Sequence, residues 1–466
     1  MIDVSHLFSI IFAHPGGVEQ GSYVHREKQE RTASTREPQQ SSDVAVPAEG
    51  SEKGHDAYRA LRFRDFRLLL AGVFLIFSGQ QMITVALGWE LYQRTNSALV
   101  LGGVGLAQVI PVILLFLPAG YVVDRYNRKY IALVALYVLV LAAAGLAALS
   151  YTRGPLLLMY ACVVVIGSAQ SFYSPVSATL VAQIVPEQVF ENATTWRSSI
   201  SQLAAVLGPA ASGFLIGALR GATPVYILSA CMFLTFAVLL LLMRLRPQES
   251  RVGSARKLSS LVDGLRFLGR TQVMLAAITL DLFAVLLGGA TTLLPIFARD
   301  ILHVGPPGLG WLQAASSLGA VGMALFLAQR PPFQHAGRML LLAVSGFGLA
   351  TIVFGLSHWF WLSFLMLFVL GALDNVSVVV RSTLLLVRTP DAMRGRVSAV
   401  SSLFIGTSNQ LGGFESGLTA QLFGSVPAVA IGGIGTILVV LLVAWLWPEM
   451  RRLGPLRESA AETHAS

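Results

Sequence analysis

Apolar residues are grouped into long stretches between Phe66 and Trp447, and short polar segments separate each stretch from the next. Each stretch is about 18 to 25 residues long, the length that an α-helix needs to cross a hydrocarbon core of about 30 Å. We count about twelve stretches, so the pattern predicts an all-α polytopic membrane protein. The predicted spans are 66–91, 100–122, 130–150, 155–182, 194–219, 223–243, 273–297, 308–328, 338–356, 360–386, 397–423 and 427–447.

The composition excludes a soluble globular protein. Of the 466 residues, 55% are hydrophobic and only 12% are charged, with a mean hydropathy of +0.68, so a water-exposed surface would carry large apolar patches. The formal net charge of +9 comes from basic residues beside the ends of the apolar stretches, which is typical of membrane topology and predicts no nucleic-acid partner. Cys162 and Cys231 lie in apolar stretches, and no cluster has metal-ligand spacing. We therefore expect no disulfide framework, metal or cofactor.

The polar segments divide the chain into five parts. Residues 1–57 are rich in Ser, Glu, Gln and Arg, and we expect a disordered cytoplasmic tail because such a segment buries too little apolar surface to offset chain entropy. The sequence leaves open whether this tail belongs to the native translated protein. The pattern predicts a first six-helix bundle over 58–243, a cytoplasmic linker over 244–272, a second six-helix bundle over 273–447 and a cytoplasmic tail over 448–466.

The linker contains its own apolar pattern. Leu258, Leu261, Val262, Leu265 and Leu268 follow helical spacing. This spacing predicts an amphipathic helix on the inner face of the membrane. A solvated linker with a few apolar residues is the alternative.

Arginine and lysine are distributed unequally between the two sets of loops. If both termini are cytoplasmic, the outer loops hold only Arg94, Arg153, Arg220 and Arg299, and the inner loops collect the other basic clusters. Loops rich in basic residues stay on the cytoplasmic side of membrane proteins. The charge pattern therefore predicts that both termini are cytoplasmic.

The second half of the chain repeats part of the first. A shift of 204 residues, without a gap, aligns Gly167 with Gly371, Pro186-Glu187 with Pro390-Asp391, Leu207-Gly208 with Leu411-Gly412, and Ser212-Gly213 with Ser416-Gly417. Six spans in each half give both copies the same orientation, which predicts two bundles related by a parallel pseudo-two-fold repeat. Chance similarity between helices built from few residue types is the alternative.

A charged hairpin separates the second and third spans. It reads Gly120-Tyr-Val-Val-Asp124-Arg125-Tyr-Asn-Arg128-Lys129, and its spacing resembles the loop signature of the major facilitator superfamily. The resemblance implies that Gly120, Asp124, Arg125, Arg128 and Lys129 form a gating loop, which latches the cytoplasmic side in the outward-facing state. A cluster that only fixes topology would explain the basic residues but not the aspartate. The second half has Arg330 at the corresponding place, with no aspartate.

Further segments resemble one branch of that superfamily, the bacterial enterobactin-exporter-like group. They are Trp89-Glu90-Leu91-Tyr92, Leu294 to Asp300, Asp391 to Val397, and Ser408 to Gly417. The resemblance implies alternating access in a bacterial inner membrane, commonly outward and driven by the proton gradient. The branch covers siderophore and drug exporters.

A few ionisable residues lie inside the predicted spans, where a charge is costly unless it faces a partner or a wet cavity. Asp374 and Arg381 are seven residues apart and share a helix face. We interpret Asp374 as a proton-sensitive site tuned by Arg381, or both as a structural ion network. We interpret Asp281 as a coupling or substrate site, or else as a partner of Arg381 or a polar group at a helix end. Glu90 and Glu415 are candidates for an outer gate or a proton entry site, for which simple hydration is the alternative.

Neutral polar residues form a second group of candidates. They are Gln80, Gln81, Gln108, Gln170, Tyr173, Asn375, Asn409 and Gln410. These side chains either line a central cavity or form hydrogen bonds between helices.

We expect a proton-coupled exporter of a small amphipathic, drug-like or siderophore-like compound, whose partners are that cargo, protons and the lipid bilayer. Uptake or uniport is an alternative, as is a transport-dead sensor. The sequence has no nucleotide-binding Gly-Lys loop, zincin motif or lipase-type elbow, so we expect no enzyme. Cargo identity, direction, coupling ion and oligomeric state stay open.

Overall fold

The structure is a computed structural model that describes residues 58–244, 258–331 and 333–454. The tail expected over 1–57 and linker residues 245–257 lie outside the described residues, as does the predicted C-terminal tail after residue 454. The first bundle contains α1 (Arg64–Thr95), α2 (Ala98–Arg125), α3 (Arg128–Tyr151), α4 (Leu156–Ile184), α5 (Phe190–Leu219) and α6 (Thr223–Leu242). After α7 (Leu258–Arg270), the second bundle contains α8 (Gln272–Leu287), α9 (Gly305–Ala328), α10 (Ala336–Leu356), α11 (Phe360–Arg388), α12 (Asp391–Phe423) and α13 (Ser425–Leu446), followed by the short α14 (Pro448–Arg452).

Eleven helical segments of the described chain are long and apolar enough to cross a membrane. One of them begins with α8 and continues to Ile301. The remaining long helix, α12, has 33 residues but is less apolar, because Arg394, Arg396 and Glu415 lie along it. It packs among the spans and completes the second bundle. The predicted all-α architecture of two six-helix bundles is confirmed.

The two bundles use the same set of helix pairings. In the first bundle α1 packs on α5 and α6, α2 packs on α4, and α3 packs on α4 and α6. In the second, α8 packs on α12 and α13, α9 on α11, and α10 on α11 and α13. The bundles meet through α2 with α12 and α5 with α9. A parallel repeat exchanges these two contacts, so the predicted relation between the halves is confirmed.

Repeated glycines make the two contacts between the bundles. A Cβ atom on Gly213 of α5 would lie 2.8 Å from the Cα atom of Gly310 in α9. A Cβ atom on Gly417 of α12, its counterpart in the repeat, would lie 2.6 Å from the Cα atom of Gly102 in α2. Both distances are too short for a side chain. Glycine is therefore required at both places because the helix backbones touch.

Large apolar side chains are exposed on the outside of the bundles. Leu114 is 69% exposed, Leu141 is 72% exposed and Trp445 is 68% exposed. In water such a surface would be an aggregation hazard, whereas in a bilayer it contacts lipid chains.

The linker forms a helix where the leucine spacing predicts one. On α7, Leu268 is buried against Met274, Val397 and Val400. The Nη1 atom of Arg396 lies 3.2 Å from a carboxylate oxygen of Asp263. These contacts dock α7 on the first turns of α8 and α12.

The membrane domain has two polar ends. We call the end that carries Arg299 the Arg299 end, and the opposite end, which carries the loop Gly120–Lys129, the Asp124 end. The short helix α14 lies at the Asp124 end, where Met450 is buried beside α10 and Arg338 Nε donates to the carbonyl of Arg451 at 3.2 Å.

Candidate functional site

A cavity of about 460 Å³ lies between the two bundles. Side chains from α1, α2, α4, α6, α9 and α12 line it, together with the turn that follows α8. Its polar lining residues are Gln80, Gln81, Thr84, Gln108, Gln170, Thr291, Thr292, Gln313, Asn409 and Gln410. The wall thus combines carboxamide and hydroxyl groups with apolar side chains.

The cavity contains most of the neutral residues that the sequence singled out. Gln80, Gln108, Gln170 and Asn409 all line it. Tyr173 does not: its ring is buried inside the first bundle, edge-on to Phe236 with 6.3 Å between the ring centroids.

One amide pair bridges the bundles beside the cavity. Gln410 Nε2 donates to Gln108 Oε1 at 2.9 Å. Gly105 lies against the backbone of Gln410, where a Cβ atom would have no room. The bond therefore joins α2 to α12 at the point where the two helices are in close contact.

The seventh span is broken next to the cavity, although the apolar pattern predicts one uninterrupted helix over 273–297. Helix α8 ends at Leu287, and a 3₁₀ turn follows over Ala290–Leu293. A Cβ atom on Gly289 would lie 2.7 Å from the carbonyl oxygen of Gly412, so the break lets α12 approach. Irregular backbone at membrane depth is tolerated where it lines a cavity, and transporter sites often use broken helices. The turn brings Thr291 and its neighbour Thr292 to the cavity wall.

The bundles are tied together at the Arg299 end. The hydroxyl of Tyr92, on α1, donates to the carboxylate of Asp300. Arg299 donates to Asn96 Oδ1 at 2.8 Å, and its guanidinium carbon lies 5.5 Å from the Tyr92 ring centroid. We call this group the Tyr92–Asp300 latch. A second polar contact, from Ser97 Oγ to Gln421 Oε1 at 3.0 Å, lies at the same end.

A buried ion pair lies inside the second bundle. Arg381 of α11 and Asp281 of α8 form a salt bridge, and their exposed fractions are only 4% and 6%. Ser401 and Ser408 of α12 line the same crevice. Asp374 is half-buried two turns away on α11 and does not line the cavity. The structure thus pairs Arg381 with Asp281.

The two carboxylates proposed for an outer gate have partners on their own helices. Glu90 is 6% exposed and accepts a bond from Arg94 Nη2 at 2.5 Å. Arg94 also donates to the carbonyl of Gly154 at 3.0 Å, which ties α1 to the loop after α3. Glu415 is half-buried and accepts from Thr419 Oγ1 at 2.8 Å.

Comparison with known proteins assigns the fold to a family. The family model described as Major Facilitator Superfamily matches residues 69–334, more than half of the 466 residues. The chain belongs to the major facilitator superfamily. The expected family and the absence of an enzymatic role are therefore confirmed.

Two exporters are similar to this superfamily member over most of their length. Enterobactin exporter EntS of Citrobacter koseri is 27% identical over 394 residues, which cover 83% of this chain and 92% of the exporter. Multidrug efflux pump Tap of Mycolicibacterium fortuitum is 25% identical over 399 residues, which cover 83% of this chain and 95% of the pump.

Two solved transporters share the superfamily fold. A bacterial homologue of the human lysosomal transporter Spinster, in an inward-facing and occupied conformation, aligns with a TM-score of 0.65 at 15% identity, over 86% of this chain and 98% of that one. Nucleoside transporter NupG aligns with a TM-score of 0.64 at 14% identity, over 82% of this chain and 99% of that one. At these identities the likeness shows the fold alone.

The superfamily signature loop makes its contacts within the first bundle. Lys129 Nζ donates to the carbonyls of Leu241 at 3.0 Å and Met243 at 2.8 Å, at the end of α6. Arg125 donates to the hydroxyl of Tyr121 at 2.5 Å. Asp124 is exposed.

The remaining loop residues lie in the two helices that the loop connects. Gly120 is buried in the last turns of α2, and Arg128 is half-buried at the start of α3. Asn127 caps α3 by accepting a bond from the backbone of Lys129 at 2.9 Å.

Sequence reasoning missed several residues of this transporter's site. Thr291, Thr292 and Gln313 line the cavity, but threonine and glutamine are ordinary in membrane helices. Tyr92 and Asp300 stand out in the sequence only as parts of segments that resemble the family. The adjacent charges Arg299 and Asp300 at the end of a span were the available signal.

Proposed function

We propose that this transporter is a proton-coupled exporter of small amphipathic, drug-like or siderophore-like compounds. The observation that carries the proposal is the cavity of about 460 Å³ shared by the two bundles, a volume typical of small-molecule sites. The names of two relatives aligned over most of their length, an enterobactin exporter and a multidrug efflux pump, support export.

The contacts at the Arg299 end support alternating access. The Tyr92–Asp300 latch and the glycine contacts hold the bundles together at that end. We propose that these contacts separate when the protein faces outward.

We also propose that the Asp124 end faces the cytoplasm of a bacterial cell and that both termini lie there. The excess of Arg and Lys in the loops at that end supports the orientation. Cargo would then enter from the inner side of the cytoplasmic membrane.

The ionisable groups of the second bundle are the proposed coupling elements. Protonation of Asp281 would neutralise one member of its ion pair with Arg381. Because α8, α11 and α12 surround that pair, such a change would alter the packing of α12, which also lines the cavity. Asp374 is a second carboxylate at membrane depth, where ionisable residues commonly serve proton relays.

Transport in proteoliposomes tests this function. A panel of labelled amphipathic compounds is loaded, a pH gradient is imposed, and flux is compared with and without a protonophore. We expect gradient-driven flux of some members, and Asp374→Asn is expected to lose the response to the gradient while exchange of labelled for unlabelled cargo persists. The control is Glu191→Gln, which changes an exposed carboxylate in the first turn of α5. Absence of gradient-dependent flux across the panel contradicts the proposal.

A further inference from the structure

We propose that the central cavity selects cargo that carries no net charge and presents several hydrogen-bonding groups. The inference rests on the proposed transport function and deepens it by naming the class of substrate. Its basis is the chemistry of the cavity wall: all ten polar side chains among the described lining residues are carboxamides or hydroxyls, and none is ionisable.

Two charged pairs of the spans lie outside the cavity wall. Asp281 is engaged by Arg381 inside the second bundle, and Glu90 is engaged by Arg94 at the Arg299 end. Neither pair belongs to the cavity wall that the structure describes. An ionic cargo would therefore meet no opposite charge among the described residues that line the cavity.

An ion that leaves water without meeting an opposite charge loses more hydration energy than neutral dipoles return. A permanently charged compound is therefore penalised in this cavity relative to an uncharged one of the same size. Size does not explain the selection, because the cavity holds drug-sized molecules of either kind.

The carboxamides also determine which functional groups a tightly bound cargo carries. Each glutamine or asparagine side chain offers donors and an acceptor, so the wall can bind alcohols, phenols, amides and esters without a proton change. Gln80 and Gln170 belong to the first bundle, and Gln313 and Asn409 to the second. A cargo with hydrogen-bonding groups on both sides bridges the two bundles.

Binding to the purified protein in nanodiscs tests the selection. The probes fall into three charge classes of similar size, represented by chloramphenicol (uncharged), tetraphenylphosphonium (cation) and 8-anilinonaphthalene-1-sulfonate (anion), with about twenty compounds in each class. We expect the uncharged class to supply the binders, with median dissociation constants at least tenfold lower than those of either ionic class. Tighter binding of cations or anions by the wild-type protein, or no binding in any class, overturns the inference.

A matched pair of variants gives a second measurement. Gln170→Glu places a carboxylate in the cavity with almost no change of shape, and it should tighten tetraphenylphosphonium binding at least tenfold. Gln329→Glu, at an exposed site beyond α9, should leave binding unchanged. Equal affinities of both variants for the cation contradict the inference.

The same experiments separate the two proposals. Gradient-driven flux of ionic compounds alone would leave the exporter standing and remove the neutral selection. Binding of uncharged compounds without gradient-driven flux would leave the neutral selection standing and contradict the proton-coupled exporter.

Exchange of an uncharged cargo for protons also moves net charge across the membrane, so flux should respond to a potassium diffusion potential.

Discussion

The two bundles share one scaffold but differ in where they place charge. Their helices pair in the same way, and glycines at equivalent positions, Gly213 and Gly417, bring the bundles into backbone contact. The Asp124 loop belongs to the first bundle and the Asp281–Arg381 pair to the second. The shared features form a symmetric interface between the bundles, whereas the charged groups differ from one bundle to the other.

An arginine and a serine lie near each other in both bundles, with their helices exchanged. In the first bundle Arg197 of α5 donates to Ser177 of α4 at 3.4 Å. The shift of 204 residues aligns Ser177 with Arg381 and Arg197 with Ser401. In the second bundle, Arg381 and Ser401 line the same crevice. Only the second bundle adds a carboxylate, Asp281, to the described arginine–serine pair. The comparison predicts that loss of the arginine destabilises the protein much more in the second bundle than in the first.

Arg381→Met should therefore have the largest effect. It leaves the Asp281 carboxylate buried without its partner, a change that costs about 3 to 5 kcal/mol at buried ion pairs. Arg197→Met removes one long hydrogen bond from a half-buried side chain and should cost about 1 kcal/mol or less. Thermal unfolding in detergent and flux in proteoliposomes measure both variants.

The double variant Asp281→Asn/Arg381→Met separates charge from packing. We expect it to recover much of the stability that Arg381→Met loses, because no buried charge stays unpaired, while proton-driven flux stays low. Equal losses for Arg197→Met and Arg381→Met would remove the distinction between the bundles.

Substitution of the interface glycines should have smaller effects that match between the bundles. A methyl group on Gly213 or Gly417 meets the backbone of the opposing helix at under 3 Å, and overpacking of this kind costs about 1 to 3 kcal/mol. We expect Gly213→Ala and Gly417→Ala to lower the unfolding temperature by similar amounts. In both variants the Arg299 end should open more often, which distance measurements between spin labels at that end report.

Gly406→Ala is the control for this pair. Gly406 lies on α12 with open space where a Cβ atom would be, so alanine should be neutral or slightly stabilising. If Gly417→Ala lowered the unfolding temperature and Gly213→Ala did not, the two symmetric contacts would not stabilise the fold equally.

Much of the fold followed from the sequence because lipid imposes one strong rule: each span must be long, apolar and helical. The break after Leu287 did not follow, since Gly288 and Gly289 are tolerated inside many membrane helices. The partner of Arg381 was also undecided. Helical spacing shows that Asp374 shares a face with Arg381, but it does not show which neighbouring helix that face meets, and the structure places Asp281 there.

Only some of the cavity residues follow from the sequence. Polar side chains such as Gln108 and Gln170 are conspicuous in apolar helices, so they were identified. Thr291 lines the cavity only because the seventh span unwinds beside it. Periodicity assumes a regular helix and therefore misplaces residues at such a break.

The smallest of the expected effects concerns the loop that only the first bundle has. Asp124→Asn removes an exposed carboxylate and should reduce flux about two- to fivefold, as expected for loss of a solvated ion pair in the state that closes the Asp124 end. Arg125→Lys keeps the positive charge and should reduce flux less. Insertion should be unchanged in both, because the Lys129 bonds to the end of α6 do not involve either side chain. Flux and the amount of protein in the membrane are measured together, and full activity of the Asn variant would leave the loop a role in topology alone.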